Sequence, residues 1–196
     1  MSSAETTTRR ASLDDAAAIV EIYNQGIEER IATFETEPRS PEQIVAAIEE
    51  RGEHFPTVVA ERDGRVVAWA AASLYRSRPC YAGIGEYSVY VHRSARGTGA
   101  GKVVLEALFA ACEERGIWKL VSRIFPENVA SLALCKATGF REVGVYRRHA
   151  KLEGEWRDCV IVEKLLGEAA QGETAPISEP APVDVDPLDE QPDPDV

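Results

Sequence analysis

The densest chemical signal in the chain is Arg96-Gly97-Thr98-Gly99-Ala100-Gly101-Lys102. Glycines at alternate positions remove side chains, so backbone N–H groups can face an anion. A helix that starts there adds its partial positive charge. Arg96 and Lys102 add formal charge on either side. Such a segment suits a pyrophosphate; its bland alternative is a plain strand-to-helix turn. Two nucleotide motifs fail on spacing. A P-loop needs four residues between its first glycine and Gly-Lys, then Ser or Thr. Here three residues separate Gly97 from Gly101, and Val103 follows Lys102. A dinucleotide fingerprint needs G-x-G-x-x-G near the first strand, whereas this run is G-x-G-x-G and comes late. Cys80, Cys112, Cys135 and Cys159 are dispersed without a C-x-x-C pair, so four reduced thiols are expected, and no metal site.

The elements that must position this turn can be read from pattern. Residues 9–12 end a first strand, and Ser12 can cap a helix with Asp14 and Asp15 in its first turn. Ala16, Ile19, Val20 and Tyr23 recur at helical spacing. After a break at residues 26–38, Ser40-Pro41-Glu42-Gln43 combines a cap, an N1 proline and a capping-box partner. Residues 57–61 and 65–74 read as strands around an Asp63-Gly64 hairpin turn. Residues 84–92 form another strand, 99–115 a long helix closed by Gly116, and 118–125 a strand. A helix over 129–138 is closed by Gly139, and two final strands, 140–149 and 156–165, flank a turn at Glu153-Gly154. The order is β-α-α-β-β-β-α-β-α-β-β, a mixed α/β (α+β) domain without internal repeats.

The segment Tyr87-Ser88-Val89-Tyr90-Val91, followed by Arg96 to Gly101, fits R-x-x-G-x-G/A. Asn128 opens a helix that ends in Cys135-Lys136-Ala137-Thr138-Gly139-Phe140. In this order the motifs resemble those of the GCN5-related N-acetyltransferase (GNAT) superfamily, over roughly residues 6–166. The resemblance implies a mixed, mostly antiparallel central sheet flanked by about four helices, and acetyl-CoA as cosubstrate without a metal. It implies that the backbone of Val89, Tyr90 and Val91 pairs with the pantetheine arm. The turn from Arg96 and Gly97 through Thr98, Gly99, Ala100 and Gly101 to Lys102 would hold the pyrophosphate, and Asn128 would touch the cofactor from the other side.

A narrower resemblance is to phosphinothricin and methionine-sulfoximine N-acetyltransferases, a branch that includes arsinothricin acetyltransferases. The matching pieces are Ile22-Tyr23-Asn24, residues 32–38 around Thr33 and Phe34, Arg76 to Tyr81, Glu86 to Val91, and Gly154 to Asp158. Acetyl transfer needs a base for the amine, a donor for the carbonyl oxygen as it gains charge, and a proton for the leaving thiolate. The resemblance makes Glu86 the general base, directly or through one water; its alternative is an exposed strand-end carboxylate. A backbone N–H near Val89 would polarise the carbonyl. Arg78 and Tyr81 would face the acceptor, because a guanidinium fork suits a carboxylate, phosphinate or arsinate; surface charge on a loop is their alternative. Thr33, Phe34, Tyr87 and Ser88 complete the implied acceptor site, although Phe34 equally fits plain core. Cys135 departs from the branch, which often has His there, and from other members with a Tyr acid. That leaves a weak thiol donor or a small packing residue. His92 and His149 are alternative polar groups, but they fall on no matching motif.

The implied activity moves an acetyl group to the amine of a small acidic amino-acid analogue. The alternatives are an acetyltransferase for protein N-termini or other amines, and a non-catalytic CoA-binding module. Charge sets the remaining expectations. The formal net charge is −11, yet nine of the 33 acidic residues and no cation fall between Glu168 and Val196. The rest is near neutral, so residues 1–167 form the working domain and 168–196 an acidic, proline-rich tail, expected to be disordered and without catalytic role. Nucleic acid is a poor partner for such a chain. No apolar run approaches the roughly 18 residues of a membrane span, and residues 1–10 lack a signal-peptide core. The expected setting is the cytoplasm, and the resemblance implies a homodimer.

Overall fold

The computed structural model describes residues 5–171. The chain runs β1 (Thr7–Arg10), α1 (Ala16–Glu28), α2 (Pro41–Arg51), β2 (Thr57–Arg62), β3 (Arg65–Leu74), β4 (Ile84–Val91), α3 (Ala100–Glu113), β5 (Lys119–Ile124), α4 (Val129–Ala137), β6 (Arg141–Leu152) and β7 (Glu155–Leu165). The element order expected from the sequence is the one observed. The strands form one seven-stranded sheet in the order β1-β2-β3-β4-β5-β7-β6. Every neighbouring pair is antiparallel except β4 and β5. The fold is therefore the mixed, mostly antiparallel α/β arrangement with four helices.

Period-two alternation divides the sheet into two faces. Val58, Ala60, Ala68, Ala70, Ala72 and Tyr87 pack with Val104, Leu105 and Leu108 of α3. On the other face Val59, Trp69 and Ala71 pack with Ile19, Ile22, Tyr23 and Ile27 of α1 and Ile44 of α2. Helix α2 starts as its sequence requires: the Ser40 hydroxyl accepts from Gln43 N–H, and the Gln43 side chain accepts from Ser40 N–H at 2.9 Å. Asp63 and Gly64 both have positive φ, 51° and 71°, as a two-residue hairpin turn demands.

Three boundaries differ from the sequence reading. The first strand is Thr7–Arg10, and Ser12 caps a single 3-10 turn before α1. There Asp15 accepts from Ser12 N–H and from both Nη atoms of Arg9, at 2.7–2.8 Å. Strand β6 starts at Arg141 and runs on to Leu152, with Phe140 buried in the α3-side core instead of in the strand. Gly167–Ala170 form a 3-10 turn across the expected domain boundary; the rest of the tail, 172–196, lies outside the described residues. No helix among the described residues is long and apolar enough to cross a membrane.

Candidate active site

The break between β4 and β5 builds the site. These strands pair only from Ile84–Lys119 to Glu86–Val121. Beyond Glu86 they diverge, so the β4 edge from Tyr87 to Val91 faces a cleft instead of a strand. Two adjoining cavities fill that cleft. One, of about 370 Å3, is lined by Val89–Val91, Arg96, Gly97, Gly99, Gly101, Lys102, Asn128 and Leu134. The other, of about 540 Å3, is lined by Thr33, Phe34, Glu86–Tyr90, Arg123, Asn128, Cys135 and His149 among others.

The first cavity is bordered by the glycine-rich turn. Gly97 and Gly99 have φ of 73° and 88°, a region that disfavours side chains, and a Cβ at either would meet no atom within 4 Å. Both positions thus leave open space beside the backbone. Gly101 serves packing: its Cβ position lies 3.2 Å from Val91 Cγ2 and 3.3 Å from Leu134 Cδ2, bringing α3 close to β4 and α4. Gly99 caps α3, and the first-turn N–H groups of Ala100 and Gly101 have no preceding helical carbonyl to bind. Thr98 closes the turn by donating to Ala95 C=O at 2.6 Å. Arg96 is paired with Glu29 at 2.8 Å and Lys102 with Glu106 at 3.7 Å. Asn128 caps α4 by accepting from Ser131 N–H and donates to Ile31 C=O, which ties the helix to the α1–α2 connection.

The second cavity is lined by Glu86, Tyr87, Cys135 and His149 among others. Glu86 is half-buried and ion-paired with Arg123 of β5, whose Nε donates to the same carboxylate oxygen at 3.1 Å. Thr33 accepts from Glu35 N–H at 3.1 Å, which fixes the loop at the cavity's edge. Phe34 lines the cavity and packs edge-to-face on Phe125, ring centroids 4.7 Å apart. Tyr87 and Cys135 reach the floor, with hydroxyl and thiol 2.9 Å apart. Burial pushes the Tyr87 hydroxyl well above its usual value and also raises the Cys135 thiol. Tyr90 turns its ring away onto Trp69, stacked at 5.0 Å, and leaves its backbone at the cleft.

Most of the residues singled out from the sequence thus meet in one cleft. Thr98 and Ala100, within the glycine turn, are not among the residues lining it, and neither are Arg78 and Tyr81. The latter two sit on an exposed 3-10 turn, where Tyr81 packs on Tyr75 at 5.9 Å. Sequence reasoning missed Arg123 and set His149 aside for want of a motif, and both line the cleft. Among the described residues no cluster of metal-ligating side chains occurs, and all four cysteines are free thiols.

Comparison with known proteins agrees with this geometry. The profile of the Acetyltransferase (GNAT) family matches residues 19–140. The chain belongs to that family. It is 35% identical over 165 residues to the phosphinothricin N-acetyltransferase of Alcaligenes faecalis, covering 82% of each chain. A crystal structure of a GNAT superfamily phosphinothricin acetyltransferase from Sinorhizobium meliloti, in complex with acetyl-CoA, superposes with a TM-score of 0.78 at 31% identity, covering 89% of this chain and 96% of that one. A ribosomal-protein-alanine N-acetyltransferase from Brucella melitensis gives a TM-score of 0.78 at 33% identity over 82% and 99% of the two chains. The protein is an acyl-CoA-dependent N-acetyltransferase, and its resemblance to the phosphinothricin and methionine-sulfoximine branch extends to sequence and fold. Its cleft suits acetyl-CoA: a glycine-rich turn, an unbonded helix N-terminus and a strand edge left open beyond Glu86 border it.

Proposed function

We propose that the chain transfers acetyl from acetyl-CoA to the amine of a small acidic amino-acid analogue of the phosphinothricin, methionine sulfoximine or arsinothricin type, with Glu86 as general base. One observation carries the reading. The Glu86 carboxylate stands at the fork where β4 and β5 part, inside the acceptor-sized cavity and next to the cavity that the glycine-rich turn borders. Backbone groups of Val89–Val91 align the thioester arm, the Gly97–Lys102 turn holds the pyrophosphate, and a β4 N–H near Val89 polarises the carbonyl. Glu86 takes the amine proton, directly or through water, and Arg123 orients its carboxylate. Tyr87 and Cys135 keep their protons at neutral pH, so the pair can stabilise and protonate the departing thiolate. Thr33, Phe34 and Ser88 wall the acceptor. Arg78 and Tyr81 can serve it only if their exposed turn moves, or if they serve a neighbouring copy.

The free thiols fit a reducing cytoplasm. Val143, Val145, Tyr146 and Trp156 are exposed on the β6–β7 edge, which supports a homodimer. A second reading, acetylation of a protein N-terminus, is favoured by the likeness to the Brucella melitensis enzyme. Thiol release from acetyl-CoA, measured across a panel, separates the two. Turnover with L-phosphinothricin, and none with a peptide bearing N-terminal alanine, supports the first reading. The reverse result removes it.

A further inference from the structure

A third hollow, of about 190 Å3, lies beneath α1 and α2 on the Glu86 face of the sheet and shares Tyr23, Glu35 and Ser88 with the acceptor cavity. Strand register explains it. Thr57 pairs with Ala71, and Ala71 with Ser88, so one row across three strands has a methyl group at its centre. Ala71 is too small to fill the space between its neighbours.

The polar groups around that space are unbalanced. The Trp69 indole N–H and the Thr57 hydroxyl have no hydrogen-bond partner, although these residues are only 4% and 5% exposed. Buried donors are seldom left so. Arg51 lies in the last turn of α2 and lines the hollow, and its side chain makes no ion pair or hydrogen bond among the described residues. Its neighbour Arg39 is already satisfied by Glu35, at 2.6 and 2.7 Å, and Tyr23 donates to the same carboxylate at 2.8 Å. Arg51 is left with the attraction of its exposed neighbour Glu50, which is smaller than the repulsion from Arg39. Burial, followed by repulsion from Arg39, pushes the Arg51 guanidinium below its ordinary value. A bound anion would relieve both costs.

We propose that this hollow binds the acid group on the acceptor's side chain, a carboxylate or a tetrahedral oxoanion such as a phosphinate, through Arg51, Trp69 Nε1–H and the Thr57 hydroxyl. The assignment rests on the acidic-acceptor reading above. The spacing suits it: Ser88 lies two residues, roughly 7 Å, along β4 from Glu86. An amine at Glu86 can therefore belong to the same small molecule as an acid over Ala71. Glu35 stands at the shared wall, neutralised by Arg39 and hydrogen-bonded by Tyr23.

The test compares L-phosphinothricin with methionine sulfone, which lacks a side-chain acid. Losing one charge-assisted contact should raise KM for phosphinothricin ~10-fold or more in Arg51→Met. Its kcat, the KM for acetyl-CoA and the KM for methionine sulfone should stay within about twofold, because those groups lie elsewhere. Arg51→Lys should recover part of the loss. Thr57→Val removes an unpaired hydroxyl at constant shape, so its thermal midpoint should hold or rise while KM for phosphinothricin still increases. A structural role alone would leave that KM unmoved. Equal rises for both acceptors in Arg51→Met, or no rise for either, overturn the inference. The 1H–15N signal of the Trp69 indole, assigned with Trp69→Phe, reads the site without turnover. It should shift with phosphinothricin in the wild type and not in Arg51→Met. A shift with inorganic phosphate that phosphinothricin does not compete away shows a free-ion site and overturns the acceptor assignment. Absence of wild-type turnover on any acidic acceptor sinks the proposed function instead. The Trp69 shift then decides the anion site separately: its presence supports the site and its absence overturns it.

Discussion

Alanine placed at Gly97, Gly99 and Gly101 in turn should give three distinguishable results, because these glycines are needed for different reasons. At Gly99 the backbone is left-handed, φ 88°, and an added Cβ meets no atom within 4 Å. The cost is therefore conformational, about 1–2 kcal/mol for a non-glycine residue. Stiffening the unfolded chain offsets about 0.4–1 kcal/mol of it. The net loss is about 1 kcal/mol, or roughly 2–4 °C in melting temperature for a chain of this size. Gly97, at φ 73° with equally open space, should behave alike. A methyl group in that open space would crowd a pyrophosphate held by the turn, so acetyl-CoA affinity should fall at least ~10-fold, about 1.4 kcal/mol. Gly101 has no left-handed φ. Alanine gains about 0.5–1 kcal/mol in a helix interior, against crowding by the Val91 and Leu134 methyls at 3.2 and 3.3 Å. Those two effects should nearly cancel in the melting temperature. Calorimetric melting with and without acetyl-CoA, plus titration of the cosubstrate, reads both quantities. If Gly99→Ala binds and melts like the parent while Gly101→Ala loses both, the turn is not the pyrophosphate site proposed.

Other expectations follow from the same contacts. Glu86→Gln should lower kcat by ~10²–10⁴-fold, the usual contribution of a positioned base, with acetyl-CoA affinity unchanged by titration; unaltered kcat removes Glu86 from the chemistry. Tyr87→Phe deletes the hydroxyl 2.9 Å from Cys135 Sγ and should slow turnover ~10-fold or more without raising KM for acetyl-CoA; a pure KM effect would limit Tyr87 to packing. Arg9 hydrogen bonds hold the Asp15 carboxyl down at about 2 from 3.8. A depressed folded-state value stabilises above the unfolded value and is lost as pH falls through the folded one. Because Arg9 is partly exposed, Asp15→Asn should cost about 1–2 kcal/mol at pH 7, after discounting for solvent. The gap to the parent in urea melts should close between pH 4 and pH 2, and a gap that persists at pH 2 would contradict the pairing.

What could be read in advance was local. The Ser40-Pro41-Glu42-Gln43 helix start, the Asp63-Gly64 hairpin and the Gly97–Gly101 turn each depend on a few consecutive residues, and each appears as expected. Sheet order is different in kind. The pairing of β4 with β5, and the insertion of β7 between β5 and β6, are set by long-range burial that no short window contains. Resemblance placed Glu86, Thr33 and Phe34 on the cleft, where they are found. It also pointed to Arg78 and Tyr81, which the structure leaves on an outer turn.

The polar groups without partners were the least legible, and the reason is physical. In sequence, Thr57 opens an ordinary strand, Trp69 sits among alanines, and Arg51 ends a helix where a cation favours the macrodipole. Each position has a sufficient local explanation. Only the register that sets Thr57 against Ala71 and Ala71 against Ser88 makes a hollow there, and only the packing of α2 over it brings Arg51 alongside. The fold leaves two buried donors unpaired and one guanidinium without a counter-ion at a single place. Evolution could have removed either cost with Thr57→Val or an uncharged residue at 51. A chain that tolerates both at one end of its acceptor cavity is keeping those groups for something that arrives with the substrate, as strain kept at a functional site usually implies.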